Sequence, residues 1–454
     1  MSKLAIFGGE PVRKKEFFQR KTMGVLELQA VKRVLESDVL SGFIGAAGSS
    51  FNGGKEVREF ETSWAEKFGF RHAISSNSAS TALMAAVGAA GIEPGDEVIV
   101  SPYSMSISAT AALFYGGIPI FADLDPKNLC LDPKSIETRI TERTKAIIVV
   151  HLFGHPADMD TIMGIARSRG LIVIEDAAQA PGVLYKGRYV GGFGDIGCFS
   201  LNYHKHIHSG EGGLVVTNND ELALRAQLIR NHGENAYEAY GVENLSNVIG
   251  SNYRLSELHA AIGTEQLKKL DDILIRRQEL ASYLTSRLSN IDGLTTQKIP
   301  PYHTHGYYMF PIRYDEAVFG ISRTQFLKAV SAELPKPVSW ETTPLAEGYV
   351  KPLYLNQIYQ KKIAIGKKGF PFNYNIGVEY DYSKGICPVA ESLYEKELMY
   401  SPLVREPLGA QDMKDFADAF EKVADNIYEL RTNSSREDSQ VFDAVRAINE
   451  TAKV

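Results

Sequence analysis

The chain has 454 residues, which is too long for one ordinary domain and suits two. A hydrophobic content of 44%, with 10% aromatic residues, is ample for a sizeable core. The formal net charge of −6 provides no basic surface for nucleic acid or for an anionic membrane, so we expect neither as a partner.

The cysteines and the N-terminus predict the compartment of the protein. The cysteines are odd in number and far apart, at Cys130, Cys198 and Cys387, which indicates neither a disulfide framework nor a metal site. The apolar run near Met1 is too short for a signal peptide, and no stretch approaches the ~20 apolar residues of a membrane span. We therefore expect a soluble protein of the reducing cytoplasm.

The chain is predicted to begin with an arm over residues 1–25, extended and charged around residues 10–15. A helix is predicted over residues 26–37. The stretch that follows, residues 41–54, is rich in glycine and other small residues. Such a stretch is either a mobile surface loop or an ordered loop with a function.

From residue 72 onward, short apolar strands alternate with helical segments. The predicted strands are 73–74, 97–100, 118–122, 146–150 and 171–174, and the predicted helices are 80–90, a segment ending near 115, 133–140 and 162–168. This alternation is typical of βαβ units and of a mostly parallel sheet. The strands are continuously apolar, which predicts an α/β fold whose sheet is covered by helices on both faces.

The second half of the chain predicts a smaller domain of mixed α+β structure. A helix over 220–232 and a long helical pattern over 255–288 precede turn signals at 292–293 and 300–301. A strand is predicted at 307–312, and an amphipathic helix is predicted around Met413 and Phe420. The predicted division is an arm at 1–25, a large domain at 26–290, a small C-terminal domain at 291–431 and a tail at 432–454.

A carboxylate and a lysine stand out between residues 171 and 217. Asp176 follows the apolar run at 171–174, and the carboxyl ends of buried strands are where open α/β sheets bind ligands. Lys205 lies in a loop before a glycine-rich turn at 210–213. A lysine that forms a Schiff base and a carboxylate that keeps a pyridine nitrogen protonated are the two groups that pyridoxal phosphate requires. The alternative is that Asp176 caps a helix and Lys205 is solvated.

The surroundings of these two residues favour the first interpretation. The runs at 175–179, 199–200 and 210–213, together with Lys205, resemble the sugar-aminotransferase family called DegT/DnrJ/EryC1/StrS. The resemblance extends over roughly residues 25–430. It implies the fold type I architecture of pyridoxal-phosphate transferases, with a large cofactor-binding domain and a smaller C-terminal domain.

The resemblance assigns a role to each site residue. The catalytic pair is Lys205 and Asp176, and Gln179 contacts the phenolic oxygen of the cofactor ring. The expected phosphate ligands are Ser78, Ala79, Ser80, Ser200 and, from the neighbouring subunit, Asn252. Ala79 stands where the family usually has glycine, which narrows the room for the phosphate. Without the resemblance, Ser78 and Asn252 are simply helix caps.

One face of the cofactor ring is expected to contact Met105, where the family commonly has an aromatic residue. Methionine can pack on a π-face, although less rigidly. Tyr103 is the alternative aromatic partner. The nearby His206 and His208 have no carboxylate or cysteine companions at ligand spacing, so we expect no metal site.

The expected function is amino transfer from glutamate or glutamine to a keto sugar linked to a nucleotide, in amino-sugar biosynthesis. The expected assembly is a homodimer with shared active sites. The alternative acceptor is a cyclitol ketone such as an inosose, because the segments at 303–308 and 387–391 resemble that branch. A sugar dehydratase on the same fold is disfavoured, because that branch has histidine in place of Lys205. A cofactor-binding regulatory protein is the remaining alternative, since fold alone does not dictate function.

Overall fold

The computed structural model describes residues 3–432. The tail predicted at 432–454 therefore lies almost wholly outside the described residues. The helices are α1 (Val25–Ser37), α2 (Lys55–Phe68), α3 (Ala79–Ala89), α4 (Ile107–Leu113), α5 (Pro133–Arg139), α6 (Met159–Arg169), α7 (Asp220–Arg230), α8 (Glu257–Lys268), α9 (Leu270–Leu288), α10 (Glu316–Phe319), α11 (Arg323–Ala332), α12 (Gln357–Gln360), α13 (Pro388–Ser392) and α14 (Ala410–Asp425).

Three sheets accompany these helices. The strands are β1 (His72–Ser76), β2 (Glu97–Val100), β3 (Ile118–Phe121), β4 (Thr144–Val150), β5 (Ile172–Asp176), β6 (Leu184–Tyr185), β7 (Arg188–Tyr189), β8 (Ile196–Ser200), β9 (Gly213–Thr217), β10 (Leu294–Thr296), β11 (Phe310–Tyr314), β12 (Ala346–Glu347) and β13 (Leu398–Ser401). The large sheet has seven strands in the order β1-β9-β8-β5-β4-β2-β3, and a four-stranded sheet has the order β10-β11-β13-β12.

The large sheet is parallel except for β9, which pairs antiparallel with both β1 and β8. Its strands are buried along almost their whole length, as their continuous apolar sequences predict. The parallel strands all point their carboxyl ends toward the same edge, and that edge carries the candidate site.

The four-stranded antiparallel sheet belongs to a second hydrophobic core, which also includes α11, α14 and the second half of α9. The N-terminal arm joins this core, because Leu4 and Phe17 are buried in it and Arg13 forms ion pairs with Asp412 and Asp415. Helix α9 thus spans both cores. The domain boundary predicted at residue 290 stays a prediction.

Residues 348–397 form a long excursion between β12 and β13, which we call the strap. It leaves the small sheet after β12, lies against the large domain and returns at β13. Its tyrosines Tyr354, Tyr359 and Tyr382 surround Phe121 at the end of β3, with ring centroids 5.0–5.9 Å apart. The strap therefore packs on the large-domain core although both of its ends lie in the small sheet.

Several elements differ from their predicted form. Helix α2 was not predicted, although its buried Val57, Phe60, Trp64 and Phe68 recur at helical spacing. The predicted helical run over 255–288 is two helices that meet at Lys269. The strand predicted at 307–312 begins later, at Phe310, because the positive φ of Tyr307 interrupts the extended backbone. In the part of the chain that the structure describes, no helix is long and apolar enough to cross a membrane.

Candidate active site

Asp176 is the last residue of β5 and is only 4% exposed. Its Oδ2 accepts a hydrogen bond of 2.7 Å from the hydroxyl of Ser108 on α4, and its Oδ1 accepts one of 3.2 Å from the Ala178 amide. Within residues 3–432, no cationic side chain pairs with it. A buried carboxylate without a cation is costly, so this position favours a positively charged ligand group.

Lys205 lies in the loop between β8 and β9. Its Nζ is 4.2 Å from the ring centroid of Tyr308, within the range of a cation–π interaction. The described residues provide its amine with no hydrogen bond and no ion pair. Like Asp176, Lys205 is a reactive group that the described residues leave without an oppositely charged partner.

The N-terminal arm holds the backbone of the Lys205 loop. The guanidinium of Arg20 donates hydrogen bonds to the carbonyl oxygens of Tyr203, Lys205 and His206. Its Nε also forms an ion pair of 3.0 Å with Glu406 of the small domain. A single buried side chain thereby fixes three carbonyl groups of the loop relative to both domains.

The N-terminus of α3 provides free backbone donors. Ser78 caps this helix and accepts a hydrogen bond from the Thr81 amide, whereas no described residue accepts from the amides of Ala79 and Ser80. The backbone of β9 lies close by, since a Cβ added to Gly213 would meet the Ser78 carbonyl carbon at 2.4 Å. Free amides at the start of a helix form an anion-binding site.

The sheet register brings Ser200 to the same place. Gly213 is paired with Ser76 on one side and with Ser200 on the other. Ser76 precedes Ser78 by two residues, so Ser78 and Ser200 flank one glycine at the edge of the sheet. Asp176 is paired with Cys198, two residues before Ser200. The carboxylate and the predicted phosphate ligands therefore occupy adjacent strand ends.

Gln179 is buried and its amide is oriented by two contacts. Its Oε1 accepts a hydrogen bond of 2.6 Å from the Phe153 amide, and its Nε2 donates one of 3.1 Å to the hydroxyl of Tyr349 in the strap. The ring of Tyr349 packs on Phe153 with 4.7 Å between centroids. The strap thus reaches the predicted cofactor site at this residue.

The histidines around Lys205 are neutral at neutral pH. Burial lowers the pKa of His206 well below its usual value, and its Nε2 donates to the Gly306 carbonyl. Burial, with the charge of Arg20, lowers the pKa of His208 to about 4. Burial and the charge of Lys205 also lower the pKa of His204. In the described residues, no group of three or more histidine, cysteine or acidic side chains could hold a metal ion.

Met105 and Asn252 lie beside the site and are exposed. Met105 is 65% exposed, and its carbonyl accepts from the amide of Ser108, so it lies one turn from the residue that contacts Asp176. The side chain of Asn252 accepts from Arg254, while its carbonyl accepts from Asn77, next to the start of α3. Among the described residues of its own chain, Asn252 forms no hydrogen bond with Ser78, Ala79 or Ser80, and it is exposed to solvent.

The geometry fits pyridoxal phosphate. The residues provide an unpaired buried carboxylate for a pyridinium nitrogen, an unpaired lysine for an aldehyde and free helix N-terminal amides for a phosphate. All three lie at the carboxyl edge of one sheet. Sequence reasoning missed Ser108, Tyr308 as the neighbour of Lys205, and Tyr349. Only Tyr308 had a signal, since it ends the noted run at 303–308.

Comparison with known proteins agrees with this chemistry. The model of the DegT/DnrJ/EryC1/StrS aminotransferase family matches residues 29–371. The L-glutamine:scyllo-inosose aminotransferase of Streptomyces griseus is 34% identical over 94% of this chain and 99% of its own length. The GDP-perosamine synthase of Caulobacter vibrioides is 38% identical over 62% of this chain and 74% of its own length. The crystal structure of an aminotransferase from Psychrobacter cryohalolentis, 30% identical, covers 91% of this chain and 100% of its own with a TM-score of 0.76.

Proposed function

Because the chain belongs to the DegT/DnrJ/EryC1/StrS aminotransferase family, and is thus a pyridoxal-phosphate-dependent aminotransferase of fold type I, we propose how its residues divide the work. The observation that carries this assignment is the pair Asp176 and Lys205. Each is left without an oppositely charged partner by the described residues, and they lie at neighbouring strand ends. Reactive groups that the fold leaves without charged partners indicate a function rather than a structural role.

The bound cofactor supplies an electron sink that stabilises charge at the carbon where the amino group is transferred. Asp176 holds the ring nitrogen, with Ser108 fixing one of its oxygens. The amides of Ala79 and Ser80 and the hydroxyl of Ser200 bind the phosphate. Gln179 contacts the ring oxygen, and Met105 covers one face of the ring.

Lys205 is the residue that moves the proton. Once its Nζ is free, the amine would take the proton from the donor carbon and pass it to the cofactor carbon, and in the second half it would move a proton from that carbon to the carbon of the acceptor. Tyr308 limits its rotation on one side, and the Arg20 clamp keeps its backbone in place. Proton transfer of this kind depends on a stable distance between the lysine amine and the reacting carbon. A loop that is held at three carbonyl groups keeps this distance stable.

The donor is glutamate or glutamine, and the acceptor is a polyhydroxylated ring ketone. A nucleotide-linked keto sugar is the first candidate, supported by the relation to GDP-perosamine synthase. A cyclitol ketone is the second candidate, and one observation favours it. The scyllo-inosose enzyme aligns over nearly the whole chain, including the strap, whereas the GDP-perosamine enzyme aligns over 62% of it.

The active form is a homodimer with shared active sites. Helix α1 exposes several large apolar side chains, among them Val25 at 67% and Leu28 at 68%, and Ile249 near Asn252 is 81% exposed. Patches of this kind on a monomer indicate a protein–protein interface. Association through this surface would let Asn252 reach the phosphate of the partner. We also propose a cytoplasmic location, supported by three cysteines that are free and buried.

The function is tested with the purified holoenzyme in two stages. The cofactor absorbance is first recorded with L-glutamine and then with L-glutamate, and we expect conversion to the aminated form with at least one of them. A nucleotide-linked keto sugar and scyllo-inosose are then offered separately, and the preferred ketone should restore the original spectrum. No spectral change with either amino acid would contradict amino transfer and favour a regulatory protein.

A further inference from the structure

Tyr349 is the first aromatic residue of the strap and the point where the strap enters the active site. Its φ of +44° lies in the left-handed region, which is uncommon for an aromatic residue. The preceding Gly348 is held on both sides, because its carbonyl accepts 2.7 Å from the Tyr103 hydroxyl and its amide donates to Leu398. Strained residues held by their surroundings cluster at functional sites.

The hydroxyl of Tyr349 has a proton to donate. The Phe153 amide N–H fixes Oε1 of Gln179 as the acceptor on its side, so Nε2 must be the atom that faces Tyr349. The tyrosine oxygen accepts this bond. No described residue provides an acceptor for its own proton. Burial raises the pKa of Tyr349 well above its usual value, with the phenols of Tyr308 and Tyr400 adding to the effect, so the proton is retained.

The surroundings identify the kind of ligand. Tyr308 and Tyr400 lie near Tyr349, and no hydrogen bond joins either hydroxyl to another described residue. Tyr308 also contacts Lys205, the residue at which transfer occurs. A group of phenols with open donors, next to the reacting amine, suits a small ring with several hydroxyl groups.

We propose that Tyr349 is a specificity-determining residue, whose hydroxyl donates a hydrogen bond to an oxygen of the polyhydroxylated ring ketone. The inference rests on the acceptor class given under the proposed function. It assigns the strap to acceptor recognition, whereas Asp176, Lys205 and the α3 amides serve the cofactor. The donor half of the reaction does not require this bond, since the donor is an amino acid without ring hydroxyls.

The test compares Tyr349→Phe with Tyr382→Phe as the matched control. Tyr382 lies in the same strap, but its hydroxyl donates 2.9 Å to the carbonyl of Pro119, remote from Lys205. In Tyr349→Phe, single-turnover conversion by L-glutamine should keep the wild-type rate. The kcat/KM for the ketone that the wild type prefers should fall about tenfold, the usual effect of one lost hydrogen bond. Tyr382→Phe should match the wild type in both halves.

Two kinetic results would overturn the inference. One is an unchanged kcat/KM for the ketone in Tyr349→Phe. The other is an equal loss in both halves, because this would place the effect of Tyr349 on Gln179 and the cofactor. Binding provides a readout that is independent of turnover. Calorimetric titration of the holoenzyme with unreactive myo-inositol should give about tenfold weaker affinity in Tyr349→Phe, whereas equal affinity or no binding to the wild type would refute the proposal.

Failure of the proposed function has a different signature. A wild-type enzyme that does not react with L-glutamine or L-glutamate is not acting as an aminotransferase, whatever Tyr349 does. In that case the myo-inositol titration still decides the role of Tyr349, because it needs no donor and no turnover. The two claims can therefore fail separately.

Discussion

The two sides of the active site are built from chain segments of opposite character. On the cofactor side, the ends of β5 and β8 and the start of α3 place Asp176, Ser200 and Ser78 by sheet register alone. On the acceptor side, the helices of the strap have five residues or fewer, and contacts with residues far away in the sequence hold it in place. The hydroxyl of Tyr382, for example, bonds to Pro119.

This difference in structure corresponds to a difference in role, since the cofactor side performs the chemistry and the acceptor side recognises the substrate. The cofactor side needs a fixed charge and free amides, which the ends of the sheet and the start of α3 supply, and a fixed amine, which the loop held by Arg20 supplies. The acceptor side needs hydroxyl groups in an arrangement specific to one ring, which irregular backbone supplies better. Substitutions on the cofactor side should therefore remove activity without changing the free energy of unfolding. Substitutions of the residues that anchor the strap should lower the free energy of unfolding without changing activity.

The largest effect is expected on the cofactor side from Lys205→Ala. Without the amine the enzyme has no covalent attachment point and no proton carrier, so turnover should vanish while the fold persists. Borohydride reduction of the wild-type holoenzyme followed by peptide mapping should place the cofactor on Lys205. Lys145→Ala, at an exposed position of β4, is the matched control, and its turnover should equal that of the wild type. Label on another lysine would contradict the assignment.

Asp176→Ala should retain bound cofactor but lose turnover by orders of magnitude. The ring nitrogen loses its counter-charge, and the Ser108 hydroxyl loses its acceptor. Stopped-flow absorbance after mixing with L-glutamine measures the rate directly, and cofactor content is measured after dialysis. A wild-type rate in this variant would exclude Asp176 from the electron-sink role.

Asn252→Ala tests whether the cofactor side extends across a subunit interface. Losing one hydrogen bond to a charged group costs roughly 1.5–3 kcal/mol, so cofactor affinity should fall about ten- to a hundredfold. Mixing Lys205→Ala chains with Asn252→Ala chains then distinguishes the two arrangements. If sites are shared, both defects fall in one site of the heterodimer, the other site is intact, and activity partly returns. Heterodimers that recover nothing would show that Asn252 acts within its own chain.

The smallest effect is expected from Tyr382→Phe on the strap, and this substitution should change stability rather than activity. The buried Pro119 carbonyl loses its donor, which should lower the free energy of unfolding by about 1 kcal/mol. Urea denaturation of the apo-protein measures this change, and kinetics with the preferred ketone should match the wild type. A kinetic defect without a stability change would mean that the two sides of the site are not separable in this way.

Most of the secondary structure on the cofactor side could be predicted from the sequence, because it depends on patterns of neighbouring residues. The apolar run that ends in Asp176 predicted both a strand and a ligand at its end, and β5 has that form. Ser78 was predicted to start a helix and caps α3. The roles of these residues, including those of Lys205, Met105 and Asn252, remain predictions.

The acceptor side had no comparable signal. Residues 348–397 show neither the period of a helix nor that of a strand, because aromatic side chains on irregular backbone are buried wherever the large domain offers a surface. The contact between Gln179 and Tyr349 joins positions 170 residues apart, and no local pattern encodes it. The same holds for Arg20, whose sequence setting is an ordinary charged arm.

The strap begins and ends at neighbouring positions of one antiparallel pair. The Gly348 amide donates to the Leu398 carbonyl at 3.0 Å, and β12 pairs directly with β13. Loop-closure entropy grows only with the logarithm of length, so replacing these roughly fifty residues by a three-residue turn changes that entropy by only about 2.5 kcal/mol. The segment between these two strands can therefore be replaced by another acceptor-binding segment, while the residues that bind the cofactor keep their positions.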